Sequence, residues 1–220
     1  MDISAYLDQL PFLKYATDEE LKIITQYAYH LSFSKGEVLH ARSQAECLGV
    51  ALVLTGSFCV SMISDEGKQV ILYRLDPGEV SIFTARCMLG MLSYEVMVEG
   101  ESNGTALVIP ASALNVIVKN VMIEKEMYKL ALQRCSIIMH TLERIMFCRV
   151  DKRLAQCLLL EAEKHGTNRL NLTHEQLARD ISSAREVVSR TLAKFSREGL
   201  IRMCRGTIII SDPEGLALYK

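Results

Sequence analysis

The spacing of apolar residues changes at Pro110, and this change limits the folds that the chain can adopt. From about residue 33 to Pro110, short apolar or alternating stretches recur between turn residues. Strands at this spacing are typical of an antiparallel barrel or sandwich. After Pro110 the apolar residues repeat with helical spacing, and Pro110 itself suits the first turn of a helix. The sequence therefore predicts an α+β chain with an antiparallel, jelly-roll-like β domain followed by helices.

Six stretches before Pro110 are predicted as strands, because each is apolar or alternating and is flanked by Gly, Asp, Asn or Pro. They are residues 38–39, 50–54, 58–63, 70–75, 96–98 and 106–109. Ahead of them, Thr17 and Glu20 have the spacing of a capping box, which opens a helix. A short opening helix is predicted, because apolar residues follow at helical spacing: Leu21, Ile24, Ala28 and Leu31.

A long helix is predicted over residues 123–147, and it carries a narrow apolar stripe. The members of the stripe are three or four residues apart: Met127, Ala131, Cys135, Ile138, Leu142 and Ile145. Such a stripe is typical of a coiled coil. It could pack on the chain's own β domain. On a long helix after a complete β domain, however, we expect it to meet a second copy, and the sequence predicts a homodimer with this interface.

The C-terminal third of the chain is basic. Residues 149–220 contain 13 Lys and Arg against 9 Asp and Glu, whereas residues 1–148 contain 12 against 17. This asymmetry indicates an anionic partner for the C-terminal part. Residues 149–151 are interpreted as a hinge, with Asp151 predicted to cap a helix over residues 152–164.

Two further helices are predicted in the basic segment, each opened by a capping box. Thr173 and Gln176 form the first box, and Ser183 and Glu186 form the second. The second helix is expected to end before Gly199, which suits the position after a helix. Two helices joined by so short a turn form a helix-turn-helix. Residues 201–203 and 207–210 then predict a hairpin wing.

The second of these helices has two chemically different sides. At about 100° per residue, the side expected to pack on the first helix holds Ala184, Val188, Thr191, Leu192 and Phe195. The other side holds Glu186, Ser189, Arg190, Ala193 and Arg197, with Arg185 at its flank. Small Ala193 allows close approach to a major groove. A basic helix between a capped helix and a hairpin predicts DNA binding.

The sequence offers no catalytic or metal-binding constellation, so no enzyme activity and no metal are expected. The five histidines lack ligand spacing, and there is no C-x-x-C pair, Gly-rich phosphate loop or G-x-S-x-G motif. The seven scattered cysteines do not predict a disulfide framework, although a redox-sensing thiol among them stays open. Without a long apolar run or a basic leader, a cytoplasmic protein is expected.

This order of elements resembles the Crp/Fnr superfamily of bacterial transcription regulators over nearly the whole chain. The strongest match is Arg185-Glu186-x-x-Ser189-Arg190, which is similar to the family's recognition helix. The resemblance implies that these four residues contact bases. Glu186 would accept a hydrogen bond from cytosine, Arg190 would donate to guanine, and Ser189 would touch thymine or its neighbour.

The resemblance also implies partners and a division of the chain. The partners are an inverted-repeat DNA site, a second copy of the chain and RNA polymerase. The division is a β-roll with flanking helices at 1–122, a dimerisation helix at 123–148 and a winged helix-turn-helix at 149–220. Residues expected to contact phosphates are Thr173, Ser183, Lys194 and Arg197. Ser182 occupies a turn position that is commonly glycine in the family, and a positive φ there would strain it by about 1 kcal/mol.

The β-roll resembles a cyclic-nucleotide-binding domain, which places an effector pocket at Gly78, Glu79, Arg86 and Cys87. The family's Arg-Ser or Arg-Thr pair, which holds the cyclic phosphate, is missing, and Tyr94 and Glu95 stand in its place. A carboxylate would repel a phosphate, so no cyclic nucleotide is expected. An iron-sulfur cluster is not expected without an N-terminal cysteine cluster, and His140 lacks an evident partner for haem binding.

The signal therefore stays open. Arg86 could hold an anionic effector, Arg86 could favour a reactive Cys87 thiolate, or Cys87 could fill the core while Arg86 faces water. Activation and repression are not distinguished by the sequence. The alternative function is a small-molecule-binding protein whose C-terminal module docks a partner protein.

Overall fold

The computed structural model describes residues 4–7, 9–40, 49–64, 69–81 and 96–219. The chain is α+β and divides into two compact units. The N-terminal unit runs to Met139, and the C-terminal unit consists mainly of His140–Lys220. The three-part division at residues 122 and 148 stays a prediction. Among the described residues, no helix combines the length and the apolar character that crossing a membrane requires.

The N-terminal unit opens with helix α1 (Ser4–Leu7), a 3₁₀ turn (Leu13–Tyr15) and helix α2 (Asp18–Tyr27). The predicted capping box at α2 is confirmed. The Thr17 hydroxyl accepts from the Glu20 backbone amide at 3.3 Å, and the Glu20 carboxylate accepts from the Thr17 amide at 2.7 Å.

The helical assignment of Leu31 is wrong, because Leu31 lies in strand β1 (Tyr29–Phe33). The backbone is already extended at Ala28, with ψ 145°. Leu31 pairs with Ala106 of an antiparallel neighbour. The residues of this segment, Tyr, His, Leu, Ser and Phe, suit a strand at least as well as a helix, so the sheet pairing decides the outcome.

Two four-stranded antiparallel sheets form the body of the N-terminal unit. Their orders are β1-β8-β3-β6 and β2-β7-β4-β5. The remaining strands are β2 (Val38–His40), β3 (Val50–Thr55), β4 (Phe58–Ile63), β5 (Gln69–Leu75), β6 (Val80–Ser81), β7 (Met97–Gly100) and β8 (Gly104–Ile109). All six predicted strands are present within two residues, whereas β1 and the short β6 were not predicted.

The core of this unit lies between the two sheets. Phe33 of β1 and Phe58 of β4 come from different sheets, and their ring centroids are 4.3 Å apart. Leu52 and Leu107 of the first sheet and Val60 of the second are also fully buried. Burial of each large apolar side chain stabilises the fold by about 1.5–3 kcal/mol. The predicted β domain is thus a two-layer roll closed by aromatic and aliphatic packing.

Helix α3 (Ala111–Ile117) follows Pro110, which is its N-cap, and helix α4 (Val121–Phe147) begins two residues before its predicted start. The predicted stripe on α4 needs correction at its first member, because Met127 is 2% exposed and has almost no surface for a second copy. The exposed face also carries residues beside the predicted ones. The apolar residues along it are Tyr128, Leu132, Cys135, Met139, Leu142 and Met146.

The C-terminal unit contains helices α5 (Val150–His165), α6 (His174–Asp180), α7 (Arg185–Arg197) and α8 (Pro213–Ala217). Its three-stranded sheet has the order β10-β11-β9, from β9 (Arg169–Leu170), β10 (Ile201–Cys204) and β11 (Thr207–Ile210). One apolar cluster joins these elements and includes Leu158, Leu177, Leu192, Phe195 and Ile208. The hairpin wing is confirmed, whereas β9 and α8 were not predicted.

The predicted cap of α5 is wrong. The helix begins at Val150 with Arg149 as N-cap, and the Arg149 side chain makes no cap hydrogen bond, although the Asp151 carboxylate accepts from the Lys152 amide at 2.9 Å. Asp151 lies within the first turn instead, where a negative charge interacts favourably with the helix N-terminus.

Candidate nucleic-acid interface

Helix α6 is fixed at its start by the predicted capping box. The Thr173 hydroxyl accepts from the Gln176 backbone amide at 3.1 Å, and the Gln176 side-chain oxygen accepts from the Thr173 amide at 2.8 Å. Leu177 and Ala178 are buried in the cluster that α7 also enters. The first helix of the helix-turn-helix therefore has a defined start and one buried side.

The turn between α6 and α7 is a Schellman-type helix ending. The Ser182 amide donates to the Arg179 carbonyl at 3.2 Å, and the Ser183 amide donates to the Ala178 carbonyl at 2.9 Å. Ser182 has φ 50° and is the one non-glycine residue in the described ranges with positive φ. The left-handed conformation expected for the family's glycine position is thus present. Because serine has a Cβ atom, this conformation is sterically less favourable for Ser182 than it would be for glycine.

The second predicted capping box is wrong. Helix α7 has Ala184 as N-cap, and among the described residues no side chain makes a cap hydrogen bond at that end. Ser183 lies one residue too early, because the turn already uses its amide. Glu186 is therefore the second residue of the helix rather than the third, and capping does not engage its carboxylate.

Helix α7 has one buried and one exposed side. Val188, Leu192 and Phe195 are completely buried. On the opposite side the exposed residues are Arg185, Glu186, Arg190, Ala193 and Arg197, and Ser189 is half-buried among them. The structure thus brings together all four residues predicted to contact bases. Across the described part of the chain, Arg185, Glu186 and Arg190 make no ion pair, so their charged groups are available to a ligand.

Three of the four predicted phosphate contacts lie at the ends of the two helices of the helix-turn-helix. Thr173 caps α6, Ser183 follows the turn, and Arg197 is exposed in the last turn of α7. The Arg197 Nε donates to the Ala193 carbonyl at 3.4 Å, which leaves the rest of its guanidinium free to act as a donor. These phosphate roles stay predictions.

The fourth predicted phosphate contact, Lys194, already interacts with Asp151 and Tyr219 of the same chain. Its Nζ lies 3.6 Å from the Asp151 carboxylate and 4.8 Å from the centroid of the Tyr219 ring. The hydrogen bond with the Tyr219 hydroxyl, helped by nearby carboxylates, raises the pKa of Lys194. A phosphate would have to compete with these partners, so Lys194 is a weaker candidate for phosphate contact than Arg197.

Sequence reasoning missed the residues that hold α7 from outside the helix-turn-helix. The Tyr219 ring packs on Phe195 with centroids 4.8 Å apart, and its hydroxyl donates to Glu198. Arg153 of α5 reaches the turn itself. The sequence signal for Arg153 is weak: it stands immediately before the apolar residues Leu154 and Ala155, which the structure shows to be buried.

The predicted effector pocket is described in part. Gly78 has φ 88° in a tight turn, and the adjacent Glu79 accepts from the Asp76 amide at 2.9 Å. Glu79 also accepts at 3.1 Å from Arg134 of α4, which was not predicted and which lies over the Tyr73 ring. Arg86 and Cys87 lie outside the described residues. No cluster of metal-binding side chains occurs in the described ranges.

A two-sheet β-roll, a long helix and a winged helix-turn-helix with an exposed basic side define a DNA-binding transcription regulator. Residues 152–219 match the family model of the Crp-like helix-turn-helix domain. The chain is 32% identical to a crp/fnr-family transcriptional regulator from Eubacterium rectale, over 96% of this chain and 98% of that one, with a TM-score of 0.90. The protein belongs to the Crp/Fnr family.

Two relatives in sequence are also transcription regulators. A CRP-like cAMP-activated global transcriptional regulator of Mycobacterium tuberculosis is 24% identical over 206 residues, which cover 88% of this chain and 89% of that one. The transcriptional regulator SdrP of Thermus thermophilus is 36% identical over 81 residues, 34% of this chain and 40% of that one. The family resemblance inferred from the recognition helix is confirmed, and the relatives are regulators rather than enzymes.

Replacement of Ser182 by glycine should stabilise the C-terminal unit, because glycine adopts positive φ without the steric cost that serine meets. The free energy of unfolding should rise by about 1 kcal/mol, measured by chemical denaturation. Ser183→Gly is the matched control: Ser183 does not have positive φ, so glycine there should lower stability. Equal effects of the two substitutions would contradict the strain at Ser182.

Proposed function

We propose that the protein is a homodimeric regulator that binds an inverted-repeat DNA site with α7 in the major groove. The observation that carries this proposal is the exposed, unpaired set Arg185, Glu186 and Arg190 on a helix whose other side is completely buried. A helix of about 10–12 Å diameter fits the major groove, and two copies would read half-sites about one helical turn apart. Such a protein works in the cytoplasm, with RNA polymerase as a further partner.

The side chains on α7 fit the donor and acceptor pattern of base edges. A carboxylate such as Glu186 accepts from the cytosine amine, and the guanidinium of Arg190 donates two hydrogen bonds to guanine. Ser189 is small enough to let the helix approach and can touch the neighbouring thymine. Arg185 is the first residue of the helix, and we expect it to contact a base at the edge of the half-site.

Glu186→Ala and Arg197→Ala should damage DNA binding in different ways. Loss of Glu186 removes one base contact, so the variant should accept other bases at one position of each half-site, with about 1–3 kcal/mol less discrimination there. Loss of Arg197 removes a positive charge that would face a phosphate, so affinity should fall for every sequence. The slope of log affinity against log salt concentration should become shallower by about 0.9 for the lost contact. Selection from random duplexes and anisotropy titrations at several salt concentrations measure both effects.

Lys164→Ala serves as the control for Arg197→Ala. Lys164 is exposed on α5 and does not belong to α7, and its replacement by alanine removes the same positive charge. Binding that does not weaken with salt would contradict DNA recognition and favour a protein partner for this unit. A uniform loss of affinity in Glu186→Ala, without a change in base preference, would contradict the base contact.

The proposed dimer is supported by the exposed face of α4. Large apolar side chains repeat along it at intervals of three and four residues, and Leu132 and Met139 are 69% and 65% exposed. Within the described part of the chain, these side chains lack the burial that apolar groups of this size usually reach. A parallel pairing of two α4 helices would cover them and would place each residue opposite its counterpart.

Single cysteines on α4 should report this pairing. In a background with the native cysteines replaced by alanine or serine, Met139→Cys should give a disulfide-linked dimer under mild oxidation with copper phenanthroline. Ile138→Cys is the matched control, because its side chain is half-buried beside the exposed stripe and should cross-link much more slowly. Faster cross-linking at position 138 would support the stripe predicted from the sequence, and no cross-linking at either position would contradict a parallel α4 pairing.

The proposed signal is not a cyclic nucleotide, although the mycobacterial relative is cAMP-activated. Both Glu79 carboxylate oxygens already accept hydrogen bonds, one from Arg134 and one from the Asp76 amide. The position expected to hold the cyclic phosphate carries Tyr94 and Glu95, which lie outside the described residues. The effector would be a different small molecule or a redox change, and no resident cofactor is proposed.

Cyclic AMP or GMP at 1 mM should leave the thermal unfolding midpoint unchanged. A ligand present at about 100 times its Kd would stabilise the protein by about 2.7 kcal/mol, a shift of several degrees. The mycobacterial regulator, which is cAMP-activated, is the positive control in the same assay. A saturable upward shift with either nucleotide would contradict the proposal.

A further inference from the structure

We propose that Arg153 is a positioning residue for DNA recognition, which sets the direction of α7 by holding the backbone of the turn before it. The proposal rests on the proposed role of α7 in DNA binding. Arg153 lies on α5, outside the helix-turn-helix, and among the described residues its side chain donates one hydrogen bond, to the Ile181 carbonyl, and makes no ion pair or hydrogen bond with a residue predicted to meet DNA. Its effect would pass through a single peptide group.

That peptide group joins Ile181 to Ser182, and both of its polar ends are held. Its carbonyl, from Ile181, accepts from the Arg153 Nη1 at 2.7 Å. Its amide, from Ser182, donates to the Arg179 carbonyl at 3.2 Å. A peptide group is planar, so two hydrogen bonds at opposite ends fix the rotation of the whole plane.

The orientation of this peptide plane determines whether Ser182 stays in the left-handed conformation, which serine rarely adopts. Rotation of this plane changes φ of Ser182, which is 50°. A non-glycine residue leaves the left-handed region unless its surroundings hold it there. Arg153, which belongs to the separate helix α5, stabilises this conformation through its hydrogen bond to the Ile181 carbonyl. Because α7 begins only three residues after Ser182, a rotation at the turn would swing the end of α7 that carries Arg185 and Glu186.

The cost of burying Arg153 argues against a role in stability alone. Arg153 is 7% exposed, and no hydrogen-bond partner for its Nε occurs in the part of the chain that the structure describes. Burial lowers the pKa of Arg153, because desolvation disfavours the charged guanidinium. An apolar side chain of similar length would fill the same space without desolvating a charge, and such replacements of buried charges are often neutral or stabilising. What an apolar side chain cannot replace is the hydrogen bond to the Ile181 carbonyl.

The first experiment measures DNA recognition in Arg153→Met, which keeps the length of the side chain and removes the donor. Affinity is measured by anisotropy for a duplex selected by the wild-type protein and for a scrambled duplex. We expect specific affinity to fall about tenfold, the size of one lost base contact, while affinity for the scrambled duplex changes less than about twofold. Lys164→Met, on the same helix, controls for the removed charge. Arg153→Lys should recover part of the loss, because an ammonium can also donate to the carbonyl.

A double-mutant cycle with Ser182→Gly tests the route of the effect. Glycine adopts positive φ without help, so Arg153→Met should cost less specific affinity in the Ser182→Gly background than in the wild type. Additive losses would overturn the proposal, and so would equal losses for the specific and scrambled duplexes. Circular dichroism establishes that each variant is folded. If Arg153→Met does not fold, Arg153→Lys alone and in the glycine background gives the same comparison.

Hydrogen exchange separates this proposal from the proposed DNA binding. In Arg153→Met without DNA, the amides of Ser182 and Ser183 should exchange faster than in the wild type, whereas the amides in the middle of α5 should keep their rates. Unchanged exchange of the Ser182 and Ser183 amides would show that Arg153 does not stabilise the turn, and it would overturn the proposal whatever the DNA-binding result. A wild-type protein that does not distinguish the selected from the scrambled duplex would instead refute the proposed function, while the exchange rates still decide the role of Arg153.

Discussion

Burial of one side of α7 is the interaction on which the rest of the C-terminal unit depends. Val188, Leu192 and Phe195 are completely buried in a cluster that also contains Leu158 of α5 and Leu177 of α6. Once these side chains leave water, the rotation of the helix about its own axis is settled, because i, i+4 and i+7 positions share one side. The polar residues of α7 are exposed as a consequence, whatever partner they later meet.

Packing fixes the rotation of α7 but leaves its direction to the turn. A short turn with positive φ at Ser182 joins the two helices, and hydrogen bonds hold it from α6 and from α5. Its geometry depends on distant residues as much as on its own sequence. At the other end of α7, the Tyr219 ring packs on Phe195, and the Lys194 ammonium lies over the face of the same ring. Tyr219 therefore also contributes to the position of this helix.

Much of the fold and of the candidate site could be predicted from local patterns. The capping boxes at Thr17 and Thr173 were predicted because both partners lie within one helical turn. The box at Ser183 was wrong, because the helix starts one residue later than the motif suggests, once the turn has used the Ser183 amide. Leu31 was wrong for a comparable reason: helical spacing was outweighed by pairing with a strand about 75 residues further along the chain.

The sequence by itself determined the order of β-roll, long helix and winged helix-turn-helix, and it determined which side of α7 is polar, because these follow from periodicity over a few residues. Only the tertiary structure decided that Met127 is covered by its own unit, that Lys194 is held by Asp151 and Tyr219, and that Arg153 reaches the turn. Each of these outcomes depends on contacts between residues far apart in the chain. Local spacing carries no information about such contacts, since they form only when helices and strands pack against one another.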